Sequence, residues 1–329
     1  MPKTLEFSQR HIQKCVLALP AAYRLQEVLA FHQRDGQQLA EHVVLQSNGL
    51  PILRKALDWQ GQPAWMELRW ECCGAKSAMQ VRASLHTAFP AVEDTHRWPA
   101  TVRRMLGLAY PPDALEAAHG GHAQLGALLA RQRGLHVPAA PTAWEALTWA
   151  ITGQQISVAA AVTLRRRLIQ AVDMRIVTAA DRSLLAYPNA VQVLGLGVEG
   201  LRGAGYSHSK AQAMLTAASM VEAGTLPLER WMQNSDAGHL DAVQVDAIAQ
   251  QLLSVPGIGP WTVHYTLLRG LGWPDGSLHG DVAVRKALAR LQGVDKVTER
   301  QTRDWLAQFA PWRALVAAHL WASLSSTAY

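Results

Sequence analysis

Leu253-Ser254-Val255-Pro256-Gly257-Ile258-Gly259-Pro260-Trp261-Thr262 is the stretch whose reading decides the fold of this chain. It separates two apolar-periodic segments, Asp241 to Leu253 and Trp261 to Leu271, each of helical length and pattern. Proline and glycine between them stop one helix and start the next. Gly257 and Gly259 lack a Cβ and can adopt φ > 0. The turn's N–H groups and the second helix's N-terminus could therefore come close to a phosphate. Pro260 suits the first helical position, where its missing N–H would have no partner anyway. A plain αα-hairpin with no ligand would carry the same signals, so at this level both readings stand.

Working outward, Trp273-Pro274-Asp275-Gly276 is a turn in which Asp275 serves turn chemistry. Leu278-His279-Gly280-Asp281 then precedes an apolar-periodic segment from Val282 to Leu291, which places Asp281 as its N-cap. Upstream, Thr142-Ala143-Trp144-Glu145 reads as a capping box opening a helix to Gly153. A further helix is expected over Ile156 to Val172; its Arg165-Arg166-Arg167 run reads as a solvated face. Gly195, Gly197, Gly200, Gly203 and Gly205 mark a loop, Ser207 to Ala223 a helix, and Ala314 to about Leu324 the last helix. The first hundred residues differ. Arg24 to Ala30 reads helical, Ala64 to Trp70 alternates as a half-buried strand does, and glycines recur at hairpin intervals. The expected fold is α+β. A small mixed α/β domain with an antiparallel sheet over 1–100 precedes an all-α region over 101–329, with the helical hairpin at about 243–271.

The chain has 329 residues, enough for a sizeable core and about two domains. Lys and Arg number 31 against 25 Asp and Glu, and the resulting net charge of +6 favours polyanionic partners. Trp, at 12, outnumbers Tyr and Phe together, which makes stacking on something flat worth testing. No apolar run approaches the ~18 residues of a membrane span. Met1-Pro2-Lys3-Thr4-Leu5-Glu6 lacks the apolar segment of a signal peptide, so a reducing cytoplasm is the expected compartment. Cys15 and the adjacent Cys72-Cys73 cannot build a disulfide framework or a four-cysteine metal site; the adjacent pair reads as buried. The histidines, His264 and His279 among them, show no metal-ligand spacing.

The Val-Pro-Gly-Ile-Gly hairpin followed by a loop ending Gly280-Asp281 resembles the helix-hairpin-helix/Gly-Pro-Asp superfamily of DNA glycosylases. Within it, the chain is similar to bacterial 3-methyladenine DNA glycosylase II. Ile151 to Val158 looks like that family's Gly-Gln stretch, and Pro256 to Arg269 like its hairpin and second helix. Pro311-Trp312-Arg313 with His319-Leu320-Trp321 looks like its C-terminal signature. The likeness is strong over residues 100 to 329 and fainter before them.

The resemblance implies a monofunctional glycosylase that flips alkylated purines out of duplex DNA and hydrolyses the N-glycosidic bond, initiating base excision repair. Asp281 aligns with the catalytic aspartate, whose carboxylate would stabilise oxocarbenium-like charge on the deoxyribose. Trp261, Tyr265 and Trp321 match the aromatic base cleft, joined by Gln154; such a cleft attracts a cationic methylated purine. Trp261 and Tyr265 share a helix face, an arrangement that outside this context is ordinary core packing. Trp261 also occupies the place where members that cut the DNA backbone carry a Schiff-base lysine, and an indole cannot be that nucleophile. Gly257, Ile258, Gly259 and Thr262 would anchor DNA phosphate, with Gln155 and Ile156 in the loop that fills the vacated base position. Gln155 stands where an apolar wedge is expected, and a polar inter-helix turn explains it equally well. No metal site or cofactor is expected, apart from a monovalent cation on hairpin carbonyls that the resemblance implies. The expected partner is double-stranded DNA with damaged bases, bound by a nucleoid-associated monomer of bacterial type with no membrane attachment. The alternatives are a non-catalytic helix-hairpin-helix DNA-binding protein, and a glycosylase for oxidised or deaminated bases.

Overall fold

The computed structural model describes residues 3–5, 11–73, 78–88, 96–178 and 183–324. The N-terminal part runs β1 (Lys3–Leu5), β2 (His11–Ala18), α1 (Leu25–His32), β3 (Glu41–Leu45), β4 (Pro51–Trp59), β5 (Gln62–Cys73) and β6 (Ala78–Thr87). Strands β2 to β6 form one antiparallel sheet in the order β2-β6-β5-β4-β3, with Leu53 opposite Leu68 and Leu68 opposite Ala83. Period-2 alternation puts Ala64, Met66, Leu68 and Trp70 of β5 on one face. That face packs against Val28 of α1 and against Trp98, Val102 and Met105 of α2 (Arg97–Met105). Cys72 is exposed and Cys73 half-buried, so the adjacent pair is not buried as expected: β5 has run past the core there.

The helices continue with α3 (Asp113–His119), α4 (Leu125–Arg131), α5 (Ala143–Gly153) and α6 (Val158–Val172). Two short strands follow, β7 (Met174–Val177) and β8 (Ser183–Leu185), which the helical periodicity did not reveal. They form a second sheet in which β1 pairs parallel with β7, and Met174, Ile176 and Leu184 pack on the other face of the large sheet at Ala56 and Trp65. Next come α7 (Ala190–Gly203), α8 (His208–Glu222), α9 (Leu228–Asp236), α10 (Ala242–Leu253), α11 (Pro260–Leu271), α12 (Val282–Gln292), α13 (Glu299–Ala307) and α14 (Arg313–Ala322). The glycines from Gly195 to Gly203 lie within α7 rather than in a loop; the helix only breaks at Gly197, whose φ is 62° and ψ −174°.

α11 is the central helix. Val263 and Leu267 enter one core cluster with α5, α8 and α10, while Tyr265 and Leu268 enter the other with α12 and α14. Gly270 lets it lie against α5: a Cβ there would sit 3.2 Å from the Ala143 Cα. Thr142 caps α5 by accepting from the Glu145 amide, but Glu145 does not answer as a capping box requires. Its carboxylate instead accepts from Lys55 and Arg165, both of which also bind Glu41. Arg165 is therefore buried, not part of a solvated face, because β3 and α5 bring two carboxylates to it, Glu41 and Glu145. Arg166 likewise holds Asp35 at 2.6 Å.

Candidate functional site

Asp281 is the N-cap of α12: its Oδ1 accepts from the amides of Ala283 at 2.7 Å and Val284 at 3.0 Å. This is ordinary capping, and it aims the carboxylate along the positive end of the helix. Two indoles complete the shell. Trp261 donates from Nε1 to Oδ2 at 2.8 Å, and Trp321 donates from Nε1 to Oδ1 at 3.3 Å. Four N–H groups from three elements thus fix one carboxylate. Tyr265 lies between the two indoles, with its ring centroid 5.3 Å from Trp261 and 6.2 Å from Trp321. These four side chains line a cleft of about 1150 Å³ that opens beside the hairpin. The volume exceeds what one purine needs and leaves room for backbone.

The hairpin sits where the sequence places it, between α10 and α11. Only Gly257 takes a positive φ, 88°; Gly259 is the N-cap of α11 with φ −105°, because the turn closes with a single left-handed residue. No side chain caps α11, and Pro260 stands in its first turn, so the start of that helix offers N–H groups outward. Among the described residues no acceptor meets the amides of Gly257 or Gly259. Ile258 and Thr262 face inward, at 6% and 1% exposure, so at those positions only backbone can meet a ligand.

Gln154 lines the cleft, yet its Nε2 donates to the Gly257 carbonyl and the Thr262 hydroxyl, both at 2.9 Å. It braces the α5–α6 loop against the hairpin. Gln155, at the tip of that loop, is exposed with a left-handed φ of 56°, and Ile156 beside it is 37% exposed. Val282, 70% exposed, also lines the cleft. His264 lies outside the cleft against Gly276, where burial above all, then Arg313, pushes its imidazole down to about 4. Asp275 does more than turn: it accepts both Nε and Nη2 of Arg313.

Sequence reasoning missed Trp149 and Arg269, which also line the cleft. Arg269 was open to view, since Trp261, Tyr265 and Arg269 recur every four residues on one face of α11. Trp149 faces inward from α5, a direction set only by packing. Val255 O, Gly257 O and Gly259 O each accept one hydrogen bond, from Ile258 N, Gln154 Nε2 and Val263 N. A carbonyl keeps a second lone pair, so these oxygens fit a weakly held monovalent cation. Among the described residues no group of three His, Cys, Asp or Glu could hold a metal ion.

Fold and cleft together define the class: an α+β helix-hairpin-helix protein with an aspartate and an aromatic cleft beside the hairpin turn. The chain belongs to the HhH-GPD superfamily of base excision DNA repair proteins, whose family model matches residues 148–311. It is 28% identical over 222 residues to DNA-3-methyladenine glycosylase 2 of Escherichia coli (strain K12), covering 68% of this chain and 70% of that protein. The structure of a 3-methyladenine DNA glycosylase from Archaeoglobus fulgidus superposes with a TM-score of 0.71 at 21% identity, over 93% of this chain and 96% of that one. An 8-oxoguanine glycosylase/lyase from Clostridium acetobutylicum, solved with double-stranded DNA, gives 0.66 at 12% identity over 96% and 97%. At such identities these two structures speak for the fold alone.

Proposed function

We propose that this protein is a monofunctional DNA glycosylase that removes alkylated purines of the 3-methyladenine type from duplex DNA. The observation that carries the reading is Asp281, held by two indoles and two helix amides at the mouth of an aromatic cleft. The exposed hairpin turn would take the DNA backbone on its Gly257 and Gly259 amides, with the uncapped start of α11 behind them. Lys286 and Arg290, exposed one turn apart on α12 and lining the same cleft, would add charge toward phosphate. The base leaves the stack and enters the cleft, where Trp261, Tyr265 and Trp321 provide π-faces for a delocalised cation. Gln155 or Ile156 would stand in its former place.

The chemistry follows from the carboxylate. As the C1′–N bond breaks, its electron pair leaves with the base and positive charge grows on the sugar. Asp281 is already oriented toward the cleft, so stabilising that charge costs no reorganisation at the moment of reaction. Water adds to C1′ and gives up its proton, leaving an abasic site. No step passes through a bound cation, and no lysine stands at Trp261 to open a lyase route.

Asp281→Asn tests this. Asparagine still caps α12, so the fold should persist. Release of methylated base from duplex DNA should drop by about 10²-fold or more, the scale of a lost preorganised electrostatic contact. Duplex binding should survive, and unchanged release would show that Asp281 is only a cap.

A further inference from the structure

The loop between α5 and α6 carries an exposed residue, Gln155, in the left-handed region, with φ 56°. That conformation is costly for a residue with a side chain and persists only where its surroundings fix it. The loop's own backbone bonds are long: Gln154 N to Ile151 O spans 3.4 Å and Ile156 N to Gly153 O 3.5 Å. Shorter contacts come from two other elements. Lys210 of α8 donates from Nζ to the Thr152 carbonyl at 2.7 Å, one of those that a helix end leaves without a backbone donor. Tyr206, just before α8, meets the Thr152 hydroxyl at 3.0 Å. On the hairpin, the Gly257 carbonyl and the Thr262 hydroxyl both accept from Gln154. α8 also backs the hairpin, since a Cβ on Gly257 would meet that of Ala213 at 3.0 Å. Loop, hairpin and α8 thus brace one another, and Lys210 belongs to that joint without lining the cleft.

We propose that Lys210 is a positioning residue for base extrusion: by gripping the end of α5, it holds Gln155 and Ile156 ready to fill the vacated base position before DNA arrives. This rests on the reading of the cleft as the site of base excision and of that loop as the filler. Extruding a base costs unstacking and unpairing free energy, and a group that enters the gap offsets part of it. The offset is largest when that group needs no reordering on binding. Lys210 suits the task in charge as well as in reach. An ammonium at the C-terminal end of α5 meets the negative end of the helix dipole, so charge and hydrogen bond act together there. Gln154 extends the grip to the hairpin, so side-chain bonds join the segment that would take phosphate to the one that would fill the stack.

Single-turnover release of 7-methylguanine from two duplexes tests this, one with cytosine opposite the lesion and one with an abasic-site analogue there. The second lesion has no pairing to break, so its extrusion depends less on a filled gap. Lys210→Met should slow release from the first duplex about tenfold, the scale of a lost conformational constraint, and from the second about threefold or less. Lys210→Arg, which can still donate to the Thr152 carbonyl, should restore most of the rate on the first. Lys210→Gln, which loses the charge but keeps a donor, should shift the ratio of the two rates the same way by a smaller factor, and decides the matter if Lys210→Met does not fold. A purely structural role would slow both substrates alike. An unchanged ratio in the folded variants overturns the proposal and leaves base excision standing; release from neither duplex by the unaltered protein overturns the excision reading itself.

Discussion

At the scale of single residues, the site is built from groups with two duties. Asp281 caps α12 and faces the cleft; Trp261 packs beside Tyr265 and donates to Asp281. Asp281 was legible because N-cap chemistry is local; in the structure Ser157, Ser207 and Asp241 cap α6, α8 and α10 by the same chemistry. Glu145 and Arg165 were not legible, since their partner Glu41 lies 124 residues from Arg165 in the chain. No local pattern announces a partner at that range. Gln154 shows the middle case: the sequence put it in the cleft, and packing turned its amide onto the hairpin. Trp261 carries a prediction of its own. With an indole in place of a primary amine, no Schiff base can form on α11, so borohydride added during turnover should trap no covalent protein–DNA adduct. A trapped adduct would place a nucleophilic lysine elsewhere in the cleft.

At the scale of elements, the hairpin was the most legible part of the chain. Proline, glycine and helical periodicity all act within a dozen residues, and α10 and α11 fall within a residue of the expected bounds. The turn's detail was less legible, because one left-handed residue suffices and the sequence offered two glycines. Gly257 is the residue that has no substitute: its φ is 88°, and a Cβ would meet that of Ala213 at 3.0 Å. Gly257→Val adds a branched side chain to a conformation such residues avoid, and presses it on α8. Duplex affinity, measured by fluorescence anisotropy, should fall about tenfold or more, while melting stays cooperative. Full affinity in that variant would take the turn off the DNA path. The short strands β7 and β8 were hidden for a different reason: at four and three residues they are too brief for period-2 patterning to show.

At the scale of the whole molecule, the N-terminal sheet does more than sit beside the helices. β3 and β4 send Glu41 and Lys55 to meet Glu145 of α5 and Arg165 of α6, the two helices whose connecting loop carries Gln154 and Gln155. Phe31 at the end of α1 meets Arg269, and Arg34 just after it meets Trp149, both of which line the aromatic cleft. The pocket is thus shared between distant stretches of chain, which is why Trp261, Tyr265 and Arg269 could be read from α11 and the approach of Phe31 and Arg34 could not. The central claim concerns what enters that pocket. The most direct measurement is release of 3-methyladenine and 7-methylguanine, against 8-oxoguanine opposite cytosine, from otherwise identical duplexes under single-turnover conditions. The methylated bases should be released and 8-oxoguanine retained; release of 8-oxoguanine with the methylated bases left in place would contradict the account.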